Sequence, residues 1–179
     1  MNLSLNSPGL LDQNVGAGTA DASLGAEMSA AQYAQAIELG RSAVRSSPGS
    51  TLRLGEMGTA NNSSAALLLA WLGGQEIAAC VGRGTRLNDA GLARKLAALQ
   101  RVLAPHADGS EPLAALAAHA ALAAMGGFQI AMLVGAALQA AAKRRVIVAN
   151  RRACRRCPPA GCGAAWVATP AMRSAPLSS

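Results

Sequence analysis

Hydrophobic and polar positions fall into blocks of different period along this chain. The first 28 residues carry Gly, Asn, Ser and Asp with little periodicity and predict loop. Ser29 is a candidate N-cap, and the run Ser29-Ala-Ala-Gln-Tyr-Ala-Gln-Ala-Ile-Glu-Leu-Gly-Arg opens a helix with Tyr33, Ile37 and Leu39 available for its apolar face. Ser46-Ser-Pro-Gly breaks that helix, and Thr51 to Leu54 reads as a short strand. A helix follows from about Asn62 to Leu72 and stops at Gly73-Gly74. Ile77 to Val81 predicts a second strand, ending in Gly82-Arg-Gly-Thr-Arg-Leu-Asn-Asp. Asp89 is placed to cap a helix through Arg101, along which Leu92, Leu96, Leu99 and Leu103 recur at helical spacing. Glu111-Pro-Leu opens a further helical stretch, Phe128 to Ala142 forms another, and Val146-Ile-Val is a last strand. Strands alternating with helices predict the α/β class: an incomplete Rossmann-like parallel sheet with flanking helices, helix-rich, between disordered termini.

The 179 residues suit one domain, yet 51% are apolar and only 2% aromatic. The core must therefore rest on Ala, Leu, Val, Ile and Met, and Ala buries little area per residue. The net charge of +7 is unevenly placed. From Lys143 onward there are eight Lys and Arg and no acid, whereas residues 1–142 hold eight bases against nine acids. Arguments for nucleic-acid binding apply to that tail alone, and there as non-specific contact. Cys154, Cys157 and Cys162 also lie in it, but structural zinc takes four ligands and no fourth Cys or His follows. Cys80 stands apart in an apolar run, where a small buried hydrophobe is the ordinary reading. No metal site or cofactor is expected. The first twenty residues lack the charged and apolar regions of a signal peptide, so a reducing cytoplasm is the expected location.

Leu113 to Ala142 runs for thirty residues without a charge, long enough to span a bilayer. Its Ala content, His119, Gln129, Gln139 and the Gly126-Gly127 break fit buried helices better. A small membrane protein stays open as an alternative, and His119 reads as a helix-face or core residue rather than a base.

Two Gly-rich turns carry the candidate chemistry. In open parallel sheets, ligands sit where strands end and helix N-termini begin, and those N-termini favour anions. Gly55, Gly58, Gly82 and Gly84 would let backbone approach an anion closely, with Asn61, Asn62, Ser63 and Thr85 as side-chain donors and Lys95 as a point charge. Neither turn matches the P-loop or the dinucleotide fingerprint. Glu56, in the first turn, is an unexpected neighbour for a phosphate; its ordinary reading is a solvated turn residue.

Gly55-Glu56-Met57-Gly58 followed by Asn61 and small hydroxyl residues resembles the first signature of the nicotinate-nucleotide–dimethylbenzimidazole phosphoribosyltransferases. Val81-Gly-Arg-Gly-Thr with Leu87, Asp89, Gly91-Leu92 and Arg94-Lys95 resembles a second, and Gly126-Gly-Phe-Gln-Ile-Ala-Met-Leu-Val-Gly-Ala running to Val146-Ile-Val a third. Gly18-Thr-Ala-Asp and Ala26-Glu-Met-Ser fit the approach to the first. The resemblance covers roughly residues 16–148. It implies transfer of phosphoribosyl from nicotinate mononucleotide to 5,6-dimethylbenzimidazole, giving α-ribazole 5′-phosphate and nicotinate in cobalamin lower-ligand assembly. It also implies a homodimer, with no membrane and no specific nucleic acid as partner. On that reading the turns hold the 5′-phosphate through Gly55, Gly58, Asn61, Gly82, Gly84, Thr85 and Lys95. Glu56 is an auxiliary catalytic carboxylate near the anomeric carbon and the attacking base.

Departures from the family pattern set further expectations. Ala60 and Arg86 stand where the signatures have glycine, and Asn62 and Ser63 where they have threonines. Family members are about twice as long, and their principal catalytic glutamate, in a Gly-Glu-Gly context, has no counterpart here. After Val148 the sequence turns to Arg, Cys, Pro and Ala, as an out-of-frame reading of GC-rich DNA would. The expected organisation is a disordered segment 1–15, a partial phosphoribosyltransferase domain 16–148 and a basic, disordered, frameshifted tail 149–179. Impaired catalysis follows, and a non-catalytic phosphate-binding remnant is the alternative.

Overall fold

The structure is a computed structural model that describes residues 11–56, 61–82, 87–106 and 114–149. The tail expected from 149 onward lies, apart from Ala149 itself, outside the described residues. Helix α1 (Ala30–Ser46) starts where the sequence places it. The Ser29 hydroxyl accepts from the Gln32 N–H at 3.2 Å, and the Gln32 side chain accepts from the Ser29 N–H at 2.9 Å, a reciprocal capping box. Strand β1 (Thr51–Leu54) follows, then α2 (Asn61–Gly73), α3 (Ile77–Cys80), α4 (Asp89–Leu103), a 3-10 turn at Ala104–His106, α5 (Ala114–Met125), α6 (Gly127–Ala142) and β2 (Val146–Ala149). The class is α/β and helix-rich, as expected. Among the described residues the sheet has two parallel strands, with Thr51 opposite Val146 and Leu54 opposite Ala149.

The register follows from the pairing of α1 with α6. Gly40 and Gly135 sit at their crossing, and a Cβ on Gly40 would lie 2.0 Å from the Met132 carbonyl oxygen, one on Gly135 2.0 Å from that of Ile37. Only glycine lets these backbones approach so closely. Each helix then delivers a strand. At the junction Arg145, 9% exposed, donates from Nη2 to the Ser47 carbonyl at 2.7 Å, and the Val146 N–H reaches the Ser50 carbonyl at 2.9 Å. Lys143 Nζ donates to the Arg45 carbonyl. Val44, Ala136 and Ala140 form the core beneath the sheet, with Leu52 and Leu54 packed on them. The other sheet face carries Thr51 and Arg53 on β1 but Val146 and Val148 on β2, the last two 52% and 45% exposed.

Two further cores hold the helices. Leu67, Ile77, Leu99, Val102 and Met125 join α2 through α5, and Met28, Ala36, Leu122, Ile130 and Ala131 join the N-terminal loop to α1, α5 and α6. The loop is tied in by backbone: the Glu27 and Met28 N–H groups donate to the Ala124 and Ala123 carbonyls near the end of α5. Tyr33 on α1 meets His119 on α5 edge-on, with Tyr33 Oη against His119 Nδ1 and ring centroids 5.8 Å apart. Cys80 is half-buried against the first core.

Two local expectations are corrected. Ile77 to Val81 is not a strand but a helical turn, closed by the Val81 N–H on the Ile77 carbonyl. A short apolar run fits either state. Here Ile77 and Val81, four apart, are both buried on one side, and Ala78 and Ala79 between them lack the β-branching that favours a strand. The cap of α4 is Asn88, whose Oδ1 accepts from the Gly91 N–H at 2.8 Å, and Asp89 is the first helical residue. No helix of the described residues is long and apolar enough to cross a membrane, because the 113–142 run is broken at Gly126.

Gly40→Ala and Gly135→Ala are each expected to cost about 3 kcal/mol, since no side chain at either position can move aside from a backbone carbonyl. Thermal unfolding followed by circular dichroism checks this. A melting temperature equal to that of the unsubstituted chain would mean that the helices do not cross at this contact.

Candidate functional site

The site begins where β1 ends. Gly55 and Glu56 follow Leu54 directly and are exposed, and α2 opens at Asn61. The chain therefore turns from a parallel strand to a helix N-terminus over a short connection. Gly58 lies outside the described residues, as do Gly84, Thr85, Ala60 and Arg86. Gly82 is described, but it follows the helical turn α3 rather than a strand, so the second turn does not repeat the strand-to-helix layout of the first.

Gly55 and Gly82 share an informative property. Neither has a positive φ, and a Cβ built on either would meet nothing within 4 Å among the described residues. Among the described residues, neither backbone geometry nor packing demands glycine at these positions. What the missing side chain leaves is open approach to the backbone.

Two residues at the head of α2 are held by other elements. Lys95, half-buried on α4, donates from Nζ to Asn62 Oδ1 at 3.2 Å. Gln129, in the first turn of α6, donates from Nε2 to Asn61 Oδ1 at 3.3 Å. The structure therefore brings Lys95 of α4 and Gln129 of α6 to neighbouring residues at the start of α2. Burial lowers the Lys95 pKa below its ordinary value, because the ammonium is partly stripped of water. Among the described residues it has no carboxylate within ion-pair distance. A cation in that state gains more from an anion than a solvated surface lysine would. Glu56 keeps to the exposed turn.

Sequence reasoning missed Gln129 and Glu27. Glu27 is half-buried at the head of α6, where its carboxylate accepts the Gly127 N–H while Oε2 is buried without a hydrogen-bond partner among the described residues. Burial raises its pKa, and the nearby Asp21 charge adds to this, while the Gly127 hydrogen bond acts the other way. The available signal was the position of Glu27 beside Met28 and Ser29, immediately before a capped helix. Among the described residues, no cluster of His, Cys, Asp and Glu is arranged to hold a metal ion.

A family model described as phosphoribosyltransferase (DBI_PRT) matches residues 1–150. The chain is 60% identical over 141 residues to the nicotinate-nucleotide–dimethylbenzimidazole phosphoribosyltransferase of Variovorax paradoxus, a match covering 79% of this chain and 39% of that protein. It is 47% identical over 150 residues to the protein of the same name from Ralstonia nicotianae, covering 82% and 41%. The crystal structure of CobT from Thermus thermophilus superposes with a TM-score of 0.72 at 32% identity, over 83% of this chain and 44% of that one. The chain thus spans about two-fifths of the length of the curated relatives it matches.

Because the folded-state pKa of Glu27 is raised, the native state binds more protons than the unfolded state just above the ordinary carboxylate pKa. Its contribution is fully present below that ordinary value and is lost as pH rises through the raised one. Glu27→Gln keeps an acceptor for Gly127 and removes the charge. The variant is expected to gain stability relative to the unsubstituted chain as pH rises from about 4 to about 7, measured by urea denaturation across that range. A pH-independent difference would show that the carboxylate ionises freely.

Proposed function

This chain belongs to the DBI_PRT family of phosphoribosyltransferases, and we propose that it forms the phosphate-holding part of an enzyme that moves phosphoribosyl from nicotinate mononucleotide to 5,6-dimethylbenzimidazole. The products are α-ribazole 5′-phosphate and nicotinate, in assembly of the lower ligand of cobalamin. The observation that carries the reading is the half-buried Lys95 ammonium beside Asn62 at the head of α2. An anionic 5′-phosphate there would meet one under-solvated positive charge, the amides of Asn61 and Asn62 and the N-terminus of α2. Gly55 and Gly82 leave their backbone open to the same ligand, and Gly58, Gly84 and Thr85 belong to the same two turns.

The chemistry breaks the C1′–N bond to nicotinate and forms a C1′–N bond to the benzimidazole, whose second nitrogen gives up its proton. Positive charge builds on the ribosyl carbon as the leaving group departs. Glu56, exposed in the turn next to the phosphate, is the auxiliary carboxylate that would stabilise this charge. Phosphate and carboxylate need not conflict, because they serve opposite ends of the ribose. Nicotinate mononucleotide and a benzimidazole base are the partners in this reading, with a homodimer and a cytoplasmic location as its further parts. In this reading the chain supplies the nucleotide-holding part of the reaction.

Isothermal titration with nicotinate mononucleotide tests the binding part. Lys95→Ala is expected to weaken affinity about tenfold or more, the loss of one charge-assisted contact. Glu56→Gln, which removes no donor, is expected to leave it within about twofold. Unchanged affinity in Lys95→Ala would sink the assignment. With both substrates supplied, the chain is expected to form α-ribazole 5′-phosphate far more slowly than the Variovorax paradoxus relative. Equal rates would show that two-fifths of the length suffices.

A further inference from the structure

We propose that Gln129 is a positioning residue of the nucleotide site, acting through Asn61 on the phosphomonoester group; the inference rests on the phosphate reading above. A carboxamide offers one acceptor oxygen and two donor hydrogens. At Asn61 the oxygen is taken by Gln129 Nε2, at 3.3 Å. At Asn62 it is taken by Lys95 Nζ, at 3.2 Å. Two consecutive amides at the head of α2 thus have their oxygens engaged from two different elements, α6 and α4. Each contact orients its amide, the oxygen turned to the partner and Nδ2, which can only donate, turned away from it. An anion arriving at this helix N-terminus meets a surface from which the competing oxygens have been withdrawn.

Gln129 is itself held. Gly127, two residues before it, has φ +71°, and a Cβ there would lie 2.8 Å from both Nε2 and Oε1 of Gln129. Glycine at that position lets the Gln129 amide fold back over the start of α6. The Glu27 carboxylate accepts the Gly127 N–H and fixes the same turn. Gln129 is half-buried rather than a solvated helix residue, and its partner lies 68 positions away in sequence. The neutral charge of the amide also matters, since a carboxylate at this position could not donate to Asn61 and would repel phosphate.

The experiment compares nicotinate mononucleotide with nicotinate riboside, which lacks the 5′-phosphate, by titration calorimetry on the full chain. Gln129→Ala is expected to weaken the nucleotide about fivefold, the scale of one hydrogen bond, and to leave the nucleoside unchanged. Gln129→Glu is expected to weaken the nucleotide further, again sparing the nucleoside. Gln129→Asn, too short to reach Asn61, is expected to behave as Gln129→Ala and serves if that variant does not fold. Equal losses for both ligands would reduce Gln129 to a structural role and overturn the inference, as would no loss for either. If the unsubstituted chain bound the nucleoside but gained nothing from the phosphate, the phosphate reading would fall first.

Discussion

Everything that positions the site depends on how closely α1 and α6 approach. Gly40 and Gly135 remove the side chains at the crossing, so each helix rests on a backbone carbonyl of the other. Closer packing fixes both the separation and the axial offset of the two helices. Each leads through a short connection into a strand, and the offset becomes the parallel register of β1 and β2. A core this poor in aromatics has few large side chains to lock a register by shape. Contact through glycine makes up for that, because a backbone surface cannot adjust by changing rotamer.

From that register the direction of β1 is set, and with it the place where Gly55 and Glu56 emerge. The polar arrangement around α2 is then assembled from three helices that are distant in sequence. Asn61 and Asn62 come from α2, Lys95 from α4 and Gln129 from α6. No single segment supplies this polar cluster. It arises because α4 and α6 both pack against α2, and their polar side chains meet its N-terminal turn. Of the two turns, the described residues of the first follow a strand and those of the second a helical turn, and the helix after the second contributes Lys95.

Much of this was legible in sequence. Ser29 and Gln32 announce a helix start through local hydrogen bonds, and Thr51 to Leu54 stands between two breakers, so both elements follow from neighbouring residues. Ile77 to Val81 misled because an unbroken apolar run carries no period, and burial of Ile77 with Val81 decided the outcome through contacts with α4. Lys95 was legible as a charge in a motif, but its burial was not, since that depends on which helices cover it. Gln129 looked like a polar interruption in an apolar run. Its role depends on Gly127 turning the helix start, which is local, and on Asn61 lying opposite, which is 68 positions away.

The open face of β2 has a consequence for the fold as a whole. On that face β1 presents Thr51 and Arg53, side chains that tolerate water, while β2 presents Val146 and Val148. A parallel sheet is ordinarily covered on both faces. Among the described residues the outer face is therefore uneven, polar along β1 and aliphatic along β2, so covering β2 would remove more apolar surface from water than covering β1.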